Sequence, residues 1–203
     1  MKIVAQNLGK RFNRERIFKN FNFTSEEGKR YVILGPNGSG KSTLLQILTG
    51  IIPASEGIIK YQSSNTEVTS AEIYRYIASC APYQDLIDEM TLTEMVTFHF
   101  KFKKCTLSIG EFIHRLELKD AAGKFVGSFS SGMKQRLKVG LALYSSCDFL
   151  FLDEPCTNMD NPSIEWYQNN LQLVSQATTT IIASNQTHEY PPSAYPIDIL
   201  RYK

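Results

Sequence analysis

The sequence lacks the features that mark several common classes of protein. Its four cysteines and three histidines form no CxxC pair and share no metal-ligand spacing, which argues against the usual zinc sites and disulfide frameworks. Apolar runs such as 149–152 are far shorter than the roughly 18 residues of a membrane-spanning helix. The N-terminus turns polar too early for a signal peptide, so we expect a protein that stays in the cytosol. With 22 basic and 20 acidic side chains, the net charge of +2 indicates no polyanionic partner.

Apolar residues are plentiful, and their spacing predicts the fold class. They make up 42% of the 203 positions, enough to fill the core of one large domain. Alternating segments at 2–8, 17–24 and 57–62 predict an antiparallel β patch near the N-terminus. Compact apolar runs predict strands buried on both faces of a mostly parallel sheet, and these runs are 31–34, 76–79, 149–152 and 180–183. Strands and helices therefore alternate, as in an α/β protein.

Helical periodicity indicates three helices and one inserted lobe. The helices are expected at 42–49, 133–145 and 162–176, the last with Asn161 as N-cap and Pro162 at the first helical position. Between about 91 and 125, apolar residues at helical spacing mix with basic residues, and no strand pattern interrupts them. We interpret this stretch as a helical lobe inserted into the α/β core.

One segment has the pattern GxxxxGK[ST], and we call it the P-loop. It follows the buried run 31–34 and precedes the helix 42–49, so strand, loop and helix come in the required order. Glycines let backbone N–H groups point at phosphate oxygens, Lys41 reaches the β- and γ-phosphates, and the Ser42 hydroxyl can ligate Mg²⁺. The sequence therefore predicts nucleoside triphosphate binding. The binding residues are Gly35, Pro36, Asn37, Gly38, Ser39, Gly40, Lys41, Ser42 and Thr43.

Two adjacent carboxylates follow the apolar run 149–152. Asp153 can hold Mg²⁺, through a water in its shell, and Glu154 can polarise an attacking water. An acidic turn after a core strand would look the same in isolation. In a chain that already has a phosphate-binding loop, the pair favours hydrolysis of the nucleotide over binding alone.

The order of the remaining motifs resembles the nucleotide-binding subunits of ABC transporters over essentially the whole chain. Where that family has its LSGGQ signature, this sequence has 129–133, FSSGM, about twenty residues before the carboxylate pair. Ser130 and Gly132 match, whereas Phe129, Ser131 and Met133 depart. In the family this segment contacts the γ-phosphate held by the opposite subunit. The resemblance therefore implies ATP and Mg²⁺ as ligands, with Ser130 and Gly132 among the residues that bind the nucleotide.

Three further positions take their roles from the same resemblance. Gln84 stands where the family has the Q-loop glutamine, which senses Mg²⁺ and the attacking water. The segment 155–160 resembles the D-loop, with matches at Pro155 and Asp160. Phe12 lies where an aromatic ring stacks on adenine in the family, although a core phenylalanine of the β patch would look alike.

The switch position departs from the family pattern. The run 181–186, IIASNQ, aligns Asn185 with the family's switch histidine. An asparagine donates a hydrogen bond but cannot carry a positive charge, so we expect slower turnover unless His188 reaches inward.

We therefore expect one ABC-type ATP-binding domain over 1–203, with 1–84 and 127–203 as the P-loop NTPase core and 85–126 as the helical lobe. The resemblance implies an ATPase that dimerises around ATP, as a homodimer or a heterodimer, and drives a separate membrane permease from the cytoplasmic face. Exposed apolar residues at 86, 87 and 90 are a candidate docking surface. No nucleic-acid partner is expected. The alternative is a binding-only or soluble regulatory cassette with weak hydrolysis, and the transported substrate is not encoded here.

Overall fold

The structure, a computed structural model, describes residues 1–63 and 66–203. The chain divides into two compact units. Unit 1 comprises 1–77, 147–153 and 175–203, and unit 2 comprises 78–146 and 154–174. Unit 2 contains the whole of the predicted helical lobe, 85–126, and extends beyond it on both sides. Within the described residues, no helix has the length and apolar character that a bilayer span requires.

Unit 1 contains the predicted antiparallel patch as a four-stranded sheet. Its strands are β1 (Lys2–Phe12), β2 (Glu15–Thr24), β4 (Glu56–Ser63) and β5 (Thr66–Val68), in the order β2-β1-β4-β5. Strand β1 pairs antiparallel with both β2 and β4. The predicted segments 2–8, 17–24 and 57–62 lie within β1, β2 and β4, and β5 was not predicted. Three residues with little alternation, TEV, give a pattern too short to detect.

The second sheet contains β3 (Arg30–Leu34), β6 (Ile77–Cys80), β7 (Phe149–Asp153), β8 (Thr179–Ala183) and β9 (Tyr195–Asp198). The strand order is β6-β7-β8-β3-β9, and β6 continues from unit 1 into unit 2 after Ile77. The pairs β7–β8, β8–β3 and β3–β9 are parallel. All five residues of β7 and of β8 are buried, which confirms the inference drawn from their uninterrupted apolar runs. Strand β9 was missed because it is short, contains a proline at Pro196 and begins with two exposed residues.

The helices are α1 (Lys41–Leu48), α2 (Leu92–Phe102), α3 (Ile109–Arg115), α4 (Ser131–Leu143) and α5 (Asn161–Gln172). Helix α1 packs its apolar side chains into the core of unit 1 together with β3 and β7. Helices α2 and α3 form within the segment predicted as a helical lobe, and each begins with a capping box, Thr91 with Glu94 and Ser108 with Glu111.

The prediction that Asn161 caps α5 was wrong. The N-cap is Asp160, whose carboxylate accepts a hydrogen bond of 3.0 Å from the Ser163 N–H, and Asn161 is the first helical residue. The Ser163 hydroxyl and N–H also lower the pKa of the Asp160 carboxyl. Both residues are good caps, but Asp160 stands three positions before Ser163, where its side chain reaches an unpaired donor of the first turn.

Helix α2 places a half-buried histidine beside the C-terminal end of α4 within unit 2. The His99 Nε2 lies 3.0 Å from the Ser145 Oγ, and that hydroxyl donates a hydrogen bond to the Leu141 carbonyl. Burial, reinforced by the charge of Lys103, lowers the pKa of His99 to about 4. The neutral imidazole is therefore the form that the folded unit accommodates.

This burial predicts a loss of stability in mild acid. The unfolded chain binds a proton at His99 below about pH 6.5, whereas the folded chain resists protonation down to about pH 4. Stability is therefore fully present above pH 6.5 and declines as the pH falls toward 4. Between pH 7 and pH 5, the free energy of unfolding measured in urea should fall more for the wild type than for His99→Gln. The exposed His114 provides the control, because His114→Gln should keep the wild-type difference between the two pH values.

Candidate nucleotide site

Three neighbouring parallel strands end at the same edge of the sheet in unit 1, and each delivers predicted site residues there. Strand β3 leads into the P-loop, β8 ends just before Asn185, and β7 ends in Asp153. The register pairs Ile33 with Ala183 and Asp153 with Ala183, so the three strand ends are level. Ligands of open parallel sheets bind at the carboxyl ends of the strands, which makes this edge the candidate nucleotide site.

The P-loop wraps around the side chain of its own lysine. The Lys41 ammonium donates hydrogen bonds to the Gly35 carbonyl at 2.9 Å and to the Pro36 carbonyl at 3.2 Å. Only 4% of Lys41 is exposed, and it is the first residue of α1. The positive N-terminal end of α1 and the Lys41 ammonium are thus both at the P-loop, which suits binding of a triphosphate.

Gly40 connects the loop to α1 in the left-handed conformation, with φ of 96°. A Cβ at Gly40 would lie 2.4 Å from the Ile17 Cγ2, closer than any van der Waals contact. Both its conformation and its surroundings therefore require glycine.

Ser39 gives an independent indication that the loop fits phosphate. Its hydroxyl oxygen is buried and has no hydrogen-bond partner within the described part of the chain. Orphaned buried hydroxyls are costly, and this one lies in the glycine-rich loop directly before the N-terminus of α1. A phosphate oxygen is a suitable acceptor for it. Half-buried Ser42 and the 1% exposed carboxylate of Asp153 supply the oxygen ligands that Mg²⁺ prefers, so the residues present fit a magnesium nucleotide.

Asn185 lies against the P-loop, as expected of a switch residue. Its side-chain amide donates a hydrogen bond of 3.1 Å to the Asn37 side-chain oxygen, and Asn185 is exposed at the edge of the sheet. His188 lies three residues further on, in a short 3₁₀ turn, and is half-buried. The hydrogen bond to the P-loop therefore favours Asn185 over His188 as the switch residue, whose role remains a prediction.

Phe12 lies at the end of β1 and is 48% exposed, so it is not part of the core. The Lys10 ammonium lies 4.8 Å from the centre of its ring. The alternative of a core phenylalanine was wrong, and stacking on adenine stays a prediction.

Unit 2 contains the remaining predicted residues. Gln84 is tied into the turn after β6, where its amide donates to the Ser79 Oγ at 2.8 Å and its carbonyl oxygen accepts from the Ala81 N–H at 3.1 Å. These bonds stabilise the turn, and a role for Gln84 toward Mg²⁺ remains a prediction.

The signature-like segment forms the start of α4. Ser130 is its N-cap and accepts a hydrogen bond of 3.2 Å from the Met133 N–H. A Cβ at Gly132 would lie 3.3 Å from the Asn158 carbonyl oxygen, so the start of α4 lies close to the segment 155–160. Both Ser130 and Gly132 line a surface pocket of about 430 Å³. This arrangement matches an anion site at a helix N-terminus, and contact with a second subunit stays a prediction.

Glu154 begins the segment after β7 and has a backbone φ of 44°, which non-glycine residues rarely adopt. Its carbonyl oxygen accepts hydrogen bonds from the Thr157 N–H at 3.1 Å and from the Thr157 hydroxyl at 2.9 Å. Next to it, the Pro155 carbonyl accepts a bond of 2.8 Å from the Gln135 amide. Sequence reasoning missed Gln135. The one signal was a polar residue on the buried face of α4.

A family model described as ABC transporter matches residues 18–157, which is more than half of the chain. The chain belongs to the ABC transporter family. The predicted family and fold are therefore confirmed, and the protein is an ATP-binding cassette with a P-loop NTPase core.

Two curated relatives agree with this assignment. The ABC transporter ATP-binding protein YcbN of Bacillus subtilis (strain 168) is 29% identical over 98% of this cassette, which spans 66% of that relative's length. The lantibiotic transport ATP-binding protein SrtF of Streptococcus pyogenes is 30% identical over 90% of the cassette and 79% of the relative.

A solved structure has the same fold. The ATP-binding cassette MJ0796, in a dimeric post-hydrolysis state bound to ADP and phosphate, aligns with a TM-score of 0.76. The identity is 23%, and the alignment covers 91% of this cassette and 88% of that chain.

The geometry at Gly40 predicts a selective loss of nucleotide binding. Gly40→Ala should weaken ATP binding by at least about tenfold, because the new methyl group collides with Ile17 while the backbone stays left-handed. Titration with a fluorescent ATP analogue measures this. Gly38→Ala is the matched control, since Gly38 has φ of 75° but open space around its Cβ. It should weaken binding less, and equal losses in the two variants would contradict the collision.

Proposed function

We propose that this cassette is the ATP-hydrolysing subunit of an ABC transporter, which dimerises around two ATP molecules and drives a separate membrane permease. The single observation that supports hydrolysis best is the level edge of β3, β8 and β7 in unit 1. There the P-loop, Asn185 and Asp153 stand side by side, and Glu154 follows Asp153 in the chain.

Each residue has a physical task in this proposal. The P-loop N–H groups and Lys41 hold the phosphates and neutralise charge that grows as the terminal bond breaks. Glu154 accepts a proton from the attacking water, and Asn185 donates a hydrogen bond to the γ-phosphate. Ser42 and Asp153, with Gln84, would hold Mg²⁺, which draws charge from the phosphate oxygens when bound.

Dimerisation completes the site in this proposal. Ser130 and the N–H groups at the start of α4 would bind the γ-phosphate held by the partner subunit, and the partner would do the same in return. The dimeric form recorded for MJ0796 supports this arrangement. Phe12 would stack on the adenine, and its exposed ring at the end of β1 is available for that contact.

The permease is proposed as a separate chain at the cytoplasmic face of a membrane. Ile87 is 37% exposed in the segment after Gln84, while Leu86 and Met90 are half-buried, so Ile87 is the strongest candidate for a docking contact. The transport role recorded for SrtF supports coupling to transport.

A variant that binds ATP but does not hydrolyse it allows a direct test of the proposed dimer. Glu154→Gln should bind ATP without hydrolysing it, so its mass in solution should double when ATP and Mg²⁺ are added. Ser130→Arg in the same background should abolish the doubling, because a long cation replaces the hydroxyl at the anion site. Light scattering after size-exclusion chromatography measures both.

The matched control is Ser193→Arg, an exposed serine just before β9, at the opposite end of the parallel strands from the P-loop. In the Glu154→Gln background, Ser193→Arg should dimerise with ATP and Mg²⁺ as Glu154→Gln alone does. A protein that binds ATP and stays monomeric would support the alternative, a binding-only or regulatory cassette or an obligate heterodimer, which the departures at Asn185 and Met133 favour.

The switch position gives a second test. Asn185→His should raise the rate of ATP hydrolysis severalfold, because an imidazole beside the P-loop can carry positive charge toward the γ-phosphate. His188→Ala should leave the rate unchanged. The rate of phosphate release under saturating ATP measures both effects. An unchanged rate in Asn185→His together with an altered rate in His188→Ala would show that His188 is the switch residue.

A further inference from the structure

The segment that carries Glu154 is fixed by a side chain from another part of unit 2. We propose that Gln135 of the signature helix α4 is a positioning residue for Glu154. This inference rests on the proposed ATPase function, because it assigns a task to Gln135 within that same reaction.

The first observation is the backbone at Glu154. Its φ of 44° is unfavourable for a residue with a side chain, and such conformations persist only where the surroundings enforce them. A relaxed backbone would turn the carboxylate in another direction. Some contact after the strand must therefore hold this residue in place.

The second observation is how the two carbonyl groups after β7 are held. Thr157 donates two hydrogen bonds to the Glu154 carbonyl, but Thr157 belongs to the same turn and moves with it. The Pro155 carbonyl is instead bound at 2.8 Å by the Gln135 amide, from twenty residues earlier in the chain. Gln135 therefore ties this turn to helix α4.

The third observation is the burial of Gln135. Only 5% of the residue is exposed, and its amide nitrogen lies 4.0 Å from the Cys80 sulfur, a weak acceptor. A buried amide is expensive unless it is hydrogen-bonded, so the bond to Pro155 is hard to replace. An apolar side chain of similar size would fill the same space without holding the carbonyl.

The arrangement also joins two parts of the proposed mechanism. Gln135 lies five residues after Ser130, in the helix whose first turn would bind the partner's phosphate. A displacement of α4 would be transmitted to Pro155, and through it to Glu154. The orientation of the carboxylate thus depends on the position of the signature helix.

The test replaces the amide without changing the volume greatly. Gln135→Met should lower kcat for ATP hydrolysis by about tenfold or more, since small misplacements of a reacting group are costly. KM for ATP should change less than about twofold, because the P-loop belongs to unit 1. Rates are normalised to the number of ATP-binding sites, so a partly unfolded sample does not imitate the effect.

Amide hydrogen exchange gives a readout that does not need hydrolysis. Exchange across 154–159 should accelerate in Gln135→Met and stay at the wild-type rate in Val139→Ala, which removes buried volume one turn further along the same helix. Thr157→Val should lower kcat as well, and the double variant with Gln135→Met should lose less than the product of the two separate factors.

The outcomes separate the two proposals. Unchanged exchange in Gln135→Met, or an equal fall of kcat in Val139→Ala, would overturn the positioning role. If the wild type hydrolysed no ATP, or Glu154→Gln left its rate unaltered, the proposed function would fail instead. In that case faster exchange would show Gln135 as a structural anchor only, which also overturns its role in the reaction.

Discussion

Parallel hydrogen bonding among β3, β8 and β7 is the constraint on which the candidate site depends. The pairing sets Ile33, Ala183 and Asp153 level, so that the P-loop, Asn185 and the carboxylate pair leave the sheet together. A slip of one residue in either pair would turn every side chain of the strand to the other face. The close packing of differently shaped side chains on the two buried faces opposes that slip, so the core positions the candidate site residues.

Burial of polar groups at this edge has a cost that the proposed nucleotide would offset. The carboxylate of Asp153 and the ammonium of Lys41 are almost fully buried, and the Ser39 hydroxyl has no partner in the described residues. A buried hydroxyl without a partner reduces stability. In the proposed function a phosphate oxygen would accept a hydrogen bond from Ser39, and ATP that binds only the folded chain would stabilise it.

Much of this was accessible from the sequence because it depends on short patterns. Uninterrupted apolar runs predicted β7 and β8, and the spacing of glycines with Lys41 predicted the loop between β3 and α1. The errors arose where competing local options exist or where the partner is distant. Asp160 and Asn161 are both good caps, and only the folded chain decides between them. The bond from Gln135 to the turn after β7 joins residues twenty positions apart, which no local pattern encodes.

In the proposed mechanism the adjacent carboxylates have two different tasks at one strand end. Asp153 is the last residue of β7, buried in extended backbone, where it is suited to a fixed metal position. Glu154 turns out of the strand in a left-handed conformation and is only half-buried, so its carboxylate is accessible to a water. Because successive side chains of a strand point to opposite faces, two neighbouring carboxylates in regular β structure would diverge. The left-handed turn at Glu154 breaks that alternation, and what holds the turn in place consequently governs where the second carboxylate points.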